Sequence, residues 1–151
     1  MLRADPSELK DNYQRQGFVV INELFDEAEV AEFQRGTDEL VEQSKNHQKS
    51  DSKFDLEPDH SEAAPRVQRI KVPHKQSEVF SRAVRNPKIL LVLKILLGVN
   101  VRFRNSKLNI KAAHGGSAVN WHQDWAFYPH TNPDLLAVGI MIDDIDEDNA
   151  P

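Results

Sequence analysis

The strongest constraint on the fold is a change of character at Gly98. Before it, apolar residues recur at helical spacing between capping signals. After it, the chain turns to short alternating and apolar runs. Helices followed by strands, rather than the two alternating, indicate an α+β protein with a β core. Residues 6–16 read as a first helix, with Asp5 or Ser7 as cap and Gly17 as its C-terminal stop. A second starts near Asp26, where Asp26 and Glu29 have capping-box spacing. Its Val30, Phe33, Leu40 and Val41 fall on one stripe, so that face packs on something. Residues 77–85 form another helical element. Asn86-Pro87 then sets a cap before a proline at the first helical position, and Gly98 ends that last helix.

Short β-rich runs are expected at residues 18–21, 66–72, 101–104, 106–112, 119–126 and 135–145. In 106–112 the alternation is clear: Lys107, Asn109 and Lys111 on one face, Leu108 and Ile110 on the other. Residues 44–65 are polar, with only Phe54 and Leu56 large and apolar, and read as one long loop. His47 and His60 in that loop, and His74 beside Pro73, read as surface residues. Residues 115–117, Gly-Gly-Ser, read as a turn or flexible loop.

Composition removes several function classes. No cysteine is present, which excludes disulfide scaffolds, Cys-ligated zinc, iron–sulfur clusters and thiol catalysis. The 19 Lys and Arg against 24 Asp and Glu give a net charge of −5, which argues against a nucleic-acid partner. The most apolar run, residues 89–99, is broken by Lys94 and is far shorter than the ~20 residues of a membrane span. The N-terminus lacks the apolar core of a secretory signal, so a cytoplasmic enzyme is the simplest expectation.

The chemistry concentrates at Trp121-His-Gln-Asp-Trp125. On an extended backbone, residues two apart share a face, so His122 and Asp124 project side by side while Trp121, Gln123 and Trp125 point away. An imidazole beside a carboxylate is two-thirds of the 2-His-1-carboxylate triad that holds Fe(II) with open positions for O₂ and organic ligands. A bare His-x-Asp is common and is usually a surface pair. Here it follows a Gly-rich turn, sits between tryptophans and precedes an apolar run.

The stretch Lys107-Leu-Asn-Ile-Lys-Ala-Ala-His-Gly-Gly-Ser-Ala-Val-Asn-Trp-His-Gln-Asp-Trp-Ala-Phe-Tyr-Pro129 resembles the central motif of the phytanoyl-CoA dioxygenase family. Tyr13-Gln-Arg-Gln-Gly-Phe-Val-Val-Ile21 is similar to that family's opening, and Asp143-Asp-Ile-Asp-Glu-Asp-Asn-Ala-Pro151 to its Glu-Asn-Gly-Pro turn. The resemblance implies an Fe(II)- and 2-oxoglutarate-dependent dioxygenase on a double-stranded β-helix (jelly-roll, cupin-like) with N-terminal helices. Its reaction hydroxylates an unactivated C–H of a small organic or acyl substrate with O₂, releasing succinate and CO₂. It implies His122 and Asp124 as iron ligands and Asn109, with Lys107 on its face, beside 2-oxoglutarate. Lys111 reads as solvated charge, and Trp125 as substrate-facing or core. Asn120 and Gln123 are candidates to orient the ligands.

The family's third ligand, a His, and its 2-oxoglutarate-binding Arg fall beyond Pro151. His114 and His130 match neither position. The expectation is therefore that residues 1–151 are the N-terminal part of one such domain, its β core incomplete and its open sheet edges prone to self-association. The alternative is a truncated, inactive relative or gene fragment that keeps part of the metal site.

Overall fold

A computed structural model describes residues 5–112, 115–128, 130–132 and 134–147. Helix α1, Pro6–Gln16, starts where the Asp5 carboxylate accepts the Ser7 hydroxyl and then the Ser7 and Glu8 amides, which together hold that carboxyl below its usual range. It stops at Gly17, whose φ of 81° lets its amide reach the Tyr13 carbonyl. Helix α2, Glu27–Ser44, carries the expected box: Glu29 N–H to Asp26 at 2.9 Å and Asp26 N–H to the Glu29 carboxylate at 2.8 Å. Strands β1, Phe54–Leu56, and β2, Val67–Lys71, follow. After a 3₁₀ turn at Pro73–Lys75 come α3, Glu78–Ala83, and α4, Pro87–Leu97, the latter capped by Asn86 onto the Lys88 amide. Strand β3, Lys107–Asn109, and a 3₁₀ turn, Asp124–Ala126, complete the elements.

The strands form one antiparallel sheet in the order β1-β2-β3. Phe54 lies opposite Ile70, and Ile70 opposite Leu108, so one row of apolar residues crosses the sheet. That face packs with α2 and α3 into a core of Phe33, Leu40, Phe54, Val67, Ile70, Phe80 and Ala83. Phe33 and Phe80 stack with centroids 6.3 Å apart. Gly36 admits α3, since a Cβ there would stand 3.2 Å from that of Val79. Helix α1 lies on α4, where Leu9, Ile89 and Val92 are buried. Among the described residues no helix is long and apolar enough to cross a membrane.

The α+β class holds, with several corrections. Residues 44–65 are not one loop: β1 lies inside them, and Phe54 is 1% exposed in the core. Residues 18–21 form no strand, and Phe18 and Val20 are exposed. Residues 101–104, 119–126 and 135–145 join no ladder with any described residue, although Ile140 and Ile142 pack against the core. β-propensity marks residues that suit a covered pleat, and a strand forms only where a partner runs alongside.

The three histidines read as surface residues are half-buried and engaged. His47 meets the Asp51 carboxylate at 2.7 Å and the Phe54 ring edge-on. Asp51 also accepts the Phe54 and Lys53 amides, which lower its pKa more than His47 does. His60 accepts the Arg66 amide at Nδ1 and, through Nε2, reaches the His47 carbonyl. His74 meets the Ser106 hydroxyl at 2.6 Å and the Phe103 ring. Burial first, then Lys75 and Arg85, pushes its pKa down.

Candidate metal site

His122 and Asp124 come together without a strand ladder. His122 lies in irregular backbone, and Asp124 opens the 3₁₀ turn, its carbonyl accepting the Phe127 and Tyr128 amides at 3.0 Å. Between them, Gln123 is extended, with φ −107° and ψ 127°. One extended residue is enough to throw its two neighbours to the same side. His122 Nε2 stands 3.6 Å from Asp124 Oδ1, and both side chains are open to solvent.

The other imidazole nitrogen sets the chemistry. His122 Nδ1 lies 2.7 Å from the Asn120 carbonyl oxygen, which can only accept. In the neutral ring the proton therefore sits on Nδ1, and Nε2 presents a lone pair. A lone pair and a carboxylate oxygen then face each other with no hydrogen between them, an arrangement that suits a cation. Ligand bonds of about 2.1 Å span donors up to about 4.2 Å apart, so both atoms are within reach of one ion. Imidazole with carboxylate is a donor set for Fe(II), and a backbone carbonyl fixing the tautomer is the usual outer support of a metal-binding His. Phe127 adds an edge contact to the ring, centroids 5.6 Å apart.

The other expected site residues stand apart. Lys107 and Asn109 are exposed on one face of β3, opposite Lys71 and Arg69 of β2, and Asn109 Oδ1 accepts from Arg69 Nε at 3.3 Å. Asp55 of β1 pairs with Lys71 at 2.6 Å and Arg69 at 3.6 Å. This makes a cation-rich sheet face, in which Arg69 and Lys71 went unnoticed in the sequence although they alternate with Ile70 as strand residues do. No hydrogen bond or ion pair among the described residues links this face to the His122–Asp124 pair. His130 turns Nδ1 to the Tyr128 carbonyl and stands beside Trp125. His114 lies outside the described residues, as do residues 148–151 of the expected terminal turn. Among the described residues no third His, Asp or Glu joins the pair. Trp121 is fully exposed and Trp125 is 43% exposed, so Trp125 is not core.

Two residues of the β1–β2 connection also reach this segment, unforeseen in the sequence. The Glu57 carboxylate, 5% exposed, accepts both the Ser117 amide at 2.8 Å and its hydroxyl at 2.6 Å. The Arg66 guanidinium donates to the Gly115 carbonyl and pairs with Asp59 at 2.9 Å. A cleft of about 500 Å³ lies elsewhere, between α2 and the α3–α4 pair, lined by Glu29, Phe33, Val79 and Arg82 among others.

An α+β chain in which an imidazole and a carboxylate converge has the side-chain types for two of the three members of a 2-His-1-carboxylate set. Comparison with known proteins narrows this further. The family model for phytanoyl-CoA dioxygenase (PhyH) matches residues 13–151. The chain belongs to this family. It is 34% identical over 143 residues to the probable alpha-ketoglutarate-dependent hypophosphite dioxygenase of Stutzerimonas stutzeri, covering 95% of this chain and 50% of that protein. It is 39% identical over 82 residues to the L-proline trans-4-hydroxylase of Streptomyces griseoviridis, covering 52% of this chain and 31% of that one. With the ectoine dioxygenase of Streptomyces coelicolor it shares 31% identity over 130 residues, 85% of this chain and 42% of the relative. The chain thus spans about half the length, or less, of these curated relatives. No solved structure matches it.

Proposed function

We propose that this chain carries the iron-binding part of an Fe(II)- and 2-oxoglutarate-dependent dioxygenase, with His122 and Asp124 as iron ligands. The carrying observation is the His122 Nε2 lone pair 3.6 Å from Asp124 Oδ1, with Nδ1 committed to Asn120. Family membership and the reactions named for the relatives support the same reading. We take β1–β3 to belong to a double-stranded β-helix within a single domain, in keeping with an unbroken family match over residues 13–151.

When bound, iron and 2-oxoglutarate supply the O₂ chemistry that hydroxylates the substrate. The chain's contribution is orientation and charge. Asp124 offsets part of the ion's charge, and the Asn120 carbonyl keeps Nε2 free for it. We assign Lys107 and Asn109 to 2-oxoglutarate recognition, a cation and an amide for its carboxylates; Arg69 and Lys71, opposite them on β2, support this by making the face more positive. The relatives' names specify hypophosphite, proline and ectoine, all small and polar. A small polar substrate fits this better than an acyl thioester. The outer edges of β1 and β3 have no strand partner among the described residues, which supports self-association through them.

A second reading is favoured by one observation, the lack of a third donor among the described residues. The chain would then hold iron with two protein ligands and not turn over. Anaerobic addition of Fe(II) and 2-oxoglutarate decides between them. A weak visible charge-transfer band, followed by succinate release in air, is the expected result. Iron binding with neither band nor succinate selects the inactive relative, and failure to bind iron overturns both.

A further inference from the structure

The proposed metal donors lie in a region with little regular structure, yet a buried carboxylate is committed to holding the chain just before them. Glu57 follows β1 and is tied to the sheet through its own amide, which donates to the Arg66 carbonyl at 3.0 Å. Its side chain crosses to a residue sixty positions later and accepts both donors of Ser117. Taking a carboxylate out of water is unfavourable unless its oxygens are hydrogen-bonded, and charge-assisted bonds of 2.6–2.8 Å meet that requirement. Arg66, at the far end of the same connection, holds the Gly115 carbonyl. The fit is close: a Cβ on Gly116 would stand 3.2 Å from Glu57 Oε1 and 3.3 Å from the Ala112 amide nitrogen. Ser117 lies five residues before His122, and residues 118–123 contain no helix or ladder that could set their path independently.

We infer that Glu57 is a positioning residue for the metal site: its clasp on Ser117, backed by Arg66 on Gly115, fixes where the His122–Asp124 segment leaves the sheet. This rests on the reading of His122 and Asp124 as metal donors. The polar β1–β2 connection thereby acquires a task that its composition did not suggest. Outer groups that orient metal ligands typically change affinity about 10–100-fold when removed.

Two substitutions separate positioning from packing. Glu57→Gln keeps an acceptor for the Ser117 amide and gains a donor for its hydroxyl. Glu57→Met keeps the volume and loses both bonds. The probe is Mn(II) alone, titrated into the full chain by electron paramagnetic resonance, with amide hydrogen exchange of residues 115–125 measured on the same samples. We expect Glu57→Met to raise the Mn(II) Kd about tenfold and to speed exchange across 115–125 by a similar factor, with Glu57→Gln within about twofold of wild type. A Met variant that matches wild type in both measurements overturns the inference, because the carboxylate would then only fill space. If wild type takes up no Mn(II), the metal-site reading fails separately. The exchange data still decide the clasp: acceleration in the Met variant alone supports it, and equal exchange overturns it.

Discussion

Residues 5–98 and 99–147 are held together in different ways. Among the described residues, every buried apolar side chain, from Leu9 to Val92, belongs to the first region. The second contributes most of the large apolar residues left in solvent, among them Val99, Val119, Trp121, Phe127 and Met141. It is attached by the short strand β3, by Ile140 and Ile142 against the core, and by polar ties: Glu57 to Ser117, Arg66 to Gly115, and Gln34 to the Ile142 carbonyl. The first region stabilises the fold and the second carries the proposed metal donors. Stability and metal affinity should therefore respond to different substitutions.

The largest expected effect lies in the first region. Phe54→Ala empties the centre of the sheet–helix core and should cost about 3–5 kcal/mol by urea unfolding. A cost under about 1 kcal/mol would show that the core does not hold the chain. Next is the α2 cap. Asp26→Ala removes the carboxylate that accepts the Glu29 amide, leaving only the backbone half of the box, and should cost about 1 kcal/mol with the site untouched.

A smaller, pH-dependent effect is expected at His74. Its pKa is lowered in the fold, chiefly by burial, so the unfolded chain binds the proton more tightly. The stability it contributes is present above the ordinary His value of about 6.5 and is lost as pH falls through the lower folded value. Thermal unfolding between pH 7.5 and 5 should flatten in His74→Asn. Asp51, lowered by the Phe54 and Lys53 amides, adds a loss of the same sign only in the carboxylate range, below about pH 4. An unchanged slope from pH 7.5 to 5 in His74→Asn would remove His74 from the account. Smallest is Trp121→Ala, which should shift stability by less than about 0.5 kcal/mol because the indole is fully exposed. A larger loss would show that the second region is packed after all.

The same division marks what could be read from the sequence. α1, α2 and α4 were legible almost to the residue, because Asp5, Asp26, Asn86, Gly17 and Gly98 signal their ends locally. β1 was hidden: three residues in a polar stretch become a strand only because β2 lies alongside. In the second region apolar runs at 119–126 and 135–145 suggested strands that do not pair among the described residues. The convergence of His122 and Asp124 was legible because one extended Gln123 suffices to bring the two side chains together. The Glu57–Ser117 clasp was not, since no local pattern ties residues sixty apart.

Equilibrium dialysis of Fe(II) under nitrogen, with the wild-type chain, His122→Ala and Asp124→Ala, shows whether these two side chains hold the ion. One ion per chain is expected in the wild type. Either substitution should weaken binding by at least about 100-fold, beyond the usual effect of outer-shell changes, while thermal unfolding stays the same. Binding that survives both substitutions would contradict the assignment of these two side chains as the iron ligands.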